Sequence, residues 1–155
     1  MPATSTTTSA PVSASLLAGL ARTSEPGTML RRFLALDAVV TTANGIAYVT
    51  ASEPLGRLLG VDRGLLLGLG VFLVLFGAGV GVLAVRRHPP VLAVRAVIEA
   101  NLLWAALSLL ALAIWLSPTT AGAVWAPLQA VTVAGFAGLQ YAALRMLGTG
   151  PGLRA

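Results

Sequence analysis

At 155 residues, 57% hydrophobic and only 10% charged, the chain carries far too few charges for a soluble domain, where about 25% of residues are charged. Its net charge of +5 comes from arginines alone, most of them flanking apolar runs, which fits anchoring at a bilayer and not a phosphate-tracking patch, so no nucleic-acid partner is expected. The absence of cysteine excludes disulfides, thiolate catalysis and cysteine-ligated metal.

Residues 1–28 are rich in Ser, Thr, Ala and Pro and read as a disordered N-terminal extension. They lack the basic start of a signal peptide, and the apolar piece Leu16 to Ala21 is too short for its core. Met29 is an alternative start, because MLRRF opens directly onto the first apolar run. That run, about 33–51, carries Asp37, Thr41, Asn44 and Tyr48 at helical intervals, so one polar stripe should point at neighbouring helices and away from lipid. Residues 52–63 then read as a short amphipathic helix in the membrane interface, with Ser52 as its cap and Asp62 capping the next span.

The second span, about 64–85, has no ionisable side chain, and Gly64/Gly68 and Gly77/Gly81 match the spacing that lets membrane helices approach closely. Arg86 to Pro90 end it. The third span, about 91–116, carries Arg95, Glu99 and Asn101; ionisable groups inside a span are costly and mark a site by default. Trp115 suits an aromatic belt, and Trp104 reads as packing. After a turn at Ser117 to Thr120, the fourth span, about 122–146, places Gln129, Thr132, Phe136 and Gln140 on one face. Residues 148–155 form a Gly/Pro-rich flexible tail.

The expected fold is all-α: a four-helix transmembrane bundle, up-down-up-down, occupying residues 29–147, with a short interfacial helix after the first span. Arg22, Arg31, Arg32, Arg86, Arg87, Arg145 and Arg154 fall on one side and Arg57 and Arg63 on the other. The positive-inside rule then puts both termini in the cytoplasm of a multi-pass inner (plasma) membrane protein. In that layout Asp37 and Arg95 lie at similar depth, with Glu99 one turn deeper and Gln140 approaching from the fourth span. The expected ligand-binding set is Asp37, Asn44, Arg95, Glu99, Asn101 and Gln140.

His88, the only histidine, lies in a basic loop, so neither a hydrolase triad nor a metal site is supported, and no catalytic residue or cofactor is implied. The open readings are a binder of a small amphipathic molecule or lipid, a small membrane enzyme or redox-associated subunit acting on a quinone-like or lipid substrate, and a structural partner subunit in which the charges are glue. A transport variant would require a homodimer, since four spans leave little wall for a path. In size, span count and the strings LDAVVTTANG and RAVIEANLLW, residues 29–147 resemble small four-span bacterial membrane proteins of the DoxX-like kind, including integral membrane proteins of actinobacteria. The resemblance implies the architecture; it carries no catalytic motif onto any residue here. The Ala-, Leu-, Gly- and Arg-heavy composition likewise points to a GC-rich bacterial genome.

Overall fold

The computed structural model describes residues 25–114 and 117–148. Five helices follow in order: α1 (Pro26–Thr50), α2 (Ser52–Leu59), α3 (Arg63–Val85), α4 (Val91–Ile114) and α5 (Thr120–Gly148). All but α2 are long and apolar enough to cross a membrane, and they run up-down-up-down, so the chain is an all-α bundle of an integral membrane protein. The helix of α1 starts at Pro26, where a proline at the first position costs no hydrogen bond. Of the stretch 1–28 expected to be disordered, residues 26–28 instead form the first turn of α1, while residues 1–24, the belt position of Trp115 and the tail beyond Gly148 lie outside the described residues.

The helices do not form an even ring. α1 packs along α3 and along α5, and α5 packs along α4, but the consecutive pair α3 and α4 scarcely touch. One lateral seam is therefore left between them. The α1–α3 contact is closest at Gly45 and Gly70. A Cβ on Gly45 would sit 2.8 Å from the Gly70 carbonyl oxygen, and one on Gly70 would sit 2.9 Å from the Gly45 oxygen. Gly77 backs onto Thr42 and Ala38 in the same way. The contact thus uses a seven-residue repeat, Gly70 and Gly77, instead of the four-residue pairs the sequence suggested. Gly68 meets nothing within 4 Å.

The half of the bundle nearest the described termini is densely filled, with Leu30, Leu34, Val80, Val94, Ile98, Ala137 and Ala143 in one buried cluster. Arg31 Nε closes that end by donating to the Ala84 carbonyl at 3.0 Å, a cation on the last turn of α3. The far half has only a small cluster around Tyr48, Leu66 and Leu73. α2 covers that end. Ser52 is buried and forms no side-chain cap there; the capping position belongs to Ala51, because α1 and α2 are separated by one residue. Asp62 does cap α3, accepting from the Leu65 N–H at 3.0 Å. Gly60 turns the chain with φ of +71°, a conformation open to glycine. Beside it Thr119 joins the two connections: its N–H donates to Leu59 O, and its hydroxyl donates to Leu58 O while accepting from the Gly122 N–H.

Candidate ligand site inside the bundle

The polar stripe of α1 meets α4 and α5 at Asp37. This carboxyl group is 0% exposed and accepts three hydrogen bonds: from the Thr41 hydroxyl at 3.0 Å, Asn101 Nδ2 at 2.7 Å and Gln140 Nε2 at 2.8 Å. Thr41 is one turn along α1, so it reaches back to Asp37 within its own helix. Asn101 and Gln140 come from two other helices. The group is satisfied by neutral donors; both ion pairs among the described residues involve Glu53 at the surface. The remaining amide oxygen, Gln140 Oε1, is buried without a partner.

Of the six expected site residues, Asp37, Asn101 and Gln140 meet here, Asn44 lies in the adjoining cavity described below, and Arg95 and Glu99 are elsewhere. Both are exposed on the outer face of α4. The reason is rotation and register. Asn101 projects on the side of α4 away from Arg95 and Glu99, and the core selected the amide side. Asn101, not a residue near Arg95, is level with Asp37, so Arg95 sits about 9 Å nearer the α4 start at 1.5 Å per residue. Arg32 and Arg145, each five residues from the knot, sit about 7.5 Å from it in the same direction. Arg95 therefore belongs to the arginine belt of that end, where Arg145 also stacks over the Tyr141 ring at 5.7 Å.

Beyond the knot, toward the α2 end, the bundle opens into a cavity of about 740 Å³. α1 supplies Thr41, Asn44 and Ala47; α3 supplies Leu69, Phe72 and Phe76; α4 supplies Ala100, Asn101, Leu103, Trp104 and Leu107; α5 supplies Trp125, Gln129 and Thr132. No lining residue is ionisable. A second space of about 300 Å³ continues it toward Leu59 and Pro118, sharing Leu69, Trp104, Leu107, Trp125 and Gln129. The two form one apolar channel alongside the α3–α4 seam. Phe72 stacks on Trp104 across that seam at 5.6 Å and on Phe76 at 6.0 Å.

Polar groups gather on one wall. Trp125 Nε1 donates to the Tyr48 hydroxyl at 2.9 Å, which donates to Gln129 Oε1 at 3.3 Å. Gln129 Nε2 and the Asn44 amide make no hydrogen bond among the described residues. Such a site can take an apolar body against the aromatic rings and offer amide N–H groups to an oxygen acceptor. The sequence placed Thr41, Tyr48, Gln129 and Thr132 on the right faces without singling them out, and it gave no sign of Phe72, whose role depends on the open seam. His88 is exposed in the 86–90 connection, and no three His, Asp or Glu side chains converge among the described residues.

Comparison with protein-family models, with curated proteins and with solved structures finds no match to this chain, so the reading of this site rests on its own geometry.

Proposed function

We propose that the protein is a multi-pass plasma-membrane protein, both termini cytoplasmic, that binds a small neutral amphipathic molecule or lipid taken from the bilayer. The observation that carries this reading is the uncharged 740 Å³ cavity with Asn44 and Gln129 on its wall, placed beside a seam where α3 and α4 leave the bundle open. An ionised head group would find no counter-charge there and would lose its hydration, whereas a carbonyl or hydroxyl would find amide donors. Asp37 serves as the scaffold that fixes three helices around the cavity's closed end. The alternative of a small enzyme acting on a quinone-like or lipid substrate is less well supported: Glu99 does not line the cavity, and Asp37 is sealed behind Thr41 and Asn101.

Native mass spectrometry of protein extracted gently from its own membrane tests this. A stoichiometric adduct is expected in the wild type and in Glu99→Gln, and it should disappear in Ala47→Phe, which fills the cavity. A bare protein in every case, or an adduct indifferent to Ala47→Phe, would sink the reading.

A further inference from the structure

Glu99 is the outlier left by the register of α4. Of the five acidic residues in the chain, Asp37 and Glu99 alone lie well inside a span, and Glu99 is exposed. It sits about 6 Å deeper than Arg95, one turn along the same face. Neither forms an ion pair among the described residues. A carboxylate facing acyl chains at that depth is costly, and such residues are found facing protein or water.

The rest of that face is ordered. Arg95, Glu99, Leu102, Ala106, Leu109 and Ala113 are all exposed and succeed one another by four, three, four, three and four residues. At 100° per residue they fall within a strip about 80° wide. An alternating four-and-three spacing is the seam of a left-handed helix pair, and the small residues Ala106 and Ala113 let the two backbones come close between the leucine layers. The strip is rotated about 150° from the residues through which α4 lines the cavity, so both faces can be used at once.

We propose that this strip is a self-association surface on which a second copy of the chain docks, α4 alongside α4 in the same orientation. A two-fold axis along the membrane normal then sets Arg95 of each copy against Glu99 of the other. The four charges sum to zero, and the deeper carboxylates gain partners that lipid does not offer. A second copy is the occupant because the charge pattern is complementary to itself: both copies insert in the same sense, so each arginine meets a glutamate one turn deeper.

The cysteine-free chain makes the test direct. In proteoliposomes, Ala106→Cys should form a covalent dimer on mild oxidation, whereas Leu75→Cys, 70% exposed on α3, should not. Added to Ala106→Cys, either Arg95→Glu or Glu99→Arg should reduce the dimer at least tenfold. The double exchange Arg95→Glu/Glu99→Arg should restore it, as should mixing the two single-reversal chains, which also establishes that each still folds. No dimer at Ala106→Cys, equal dimer at Leu75→Cys, indifference to the reversals, or loss without rescue would each overturn the proposal.

Discussion

Asn101 donates to Asp37 Oδ2 at 2.7 Å between α4 and α1, two helices whose backbones scarcely meet. The side chains do the joining, and Gln140 brings α5 to the same oxygen at 2.8 Å. Asp37→Ala should therefore leave two buried amides unpaired, at about 1–3 kcal/mol for each donor left unsatisfied. Asp37→Asn is a different case. Its carbonyl can occupy the Oδ2 position and keep both donors, while its NH₂ faces the Thr41 hydroxyl, which can turn to accept. Unfolding in detergent micelles followed by circular dichroism should find Asp37→Ala clearly weakened and Asp37→Asn close to wild type. Equal loss in both would mean that the charge itself, not the hydrogen-bonded shape, holds the three helices.

The α1–α3 contact predicts a contrast among glycines. A Cβ at Gly45 meets backbone of Gly70 and Val74 at 2.8 Å, and backbone cannot rotate aside. Gly45→Ala should force the helices apart and destabilise by about 1–3 kcal/mol, the usual range for overpacking. Gly68→Ala, with nothing within 4 Å, should be neutral or slightly stabilising because alanine favours helix over glycine. Thermal unfolding of the two variants in the same detergent decides the matter; a similar loss in both would show that the close approach is not what limits this position.

The span positions and the up-down order were legible because they depend on length and hydropathy alone, and so was the polar stripe of α1, because periodicity fixes which residues share a helix face. What periodicity leaves open is which face of α4 turns inward. Arg95 with Glu99 and Asn101 lie on different sides of that helix, and all three were candidates for the site. The choice fell to Asn101 because a buried carboxyl on α1 is better satisfied by neutral amides that pack closely than by a guanidinium that must give up its water. The seam between α3 and α4 had no signal at all. A short connection suggests adjacent helices, yet the tight glycine contact draws α3 onto α1 and leaves α4 to α5.

Tyr48 is the hinge of the cavity's polar wall, since its hydroxyl both accepts from Trp125 and donates to Gln129. Tyr48→Phe removes both bonds while keeping the ring. It should cost about 1–3 kcal/mol of stability, since each internal hydrogen bond is worth about 0.5–1.5 kcal/mol net, and it frees Gln129 Oε1 to seek another donor. If the wall orients a bound molecule, the adduct population in native mass spectra should fall more than stability does, and Gln129→Leu should reproduce the loss. An unchanged adduct in both variants would separate the wall from binding and leave the aromatic rings as the whole site.

The proposed orientation in the membrane rests on where the arginines end up. Arg31, Arg32, Arg86, Arg87, Arg95 and Arg145 gather at the end that holds the 86–90 connection, against Arg57 and Arg63 at the end covered by α2. Those last two both approach Glu53, at 2.7 and 3.8 Å, although the positive-inside rule counts the cations whether or not they are paired. The chain contains no cysteine, so single cysteines report cleanly. On intact cells a membrane-impermeant maleimide should label Ser117→Cys, exposed beside α2, and should reach His88→Cys only after permeabilisation. The reverse pattern would place the arginine-rich end outside and overturn the cytoplasmic assignment of both termini, while leaving the bundle, its cavity and the α4 face as they are.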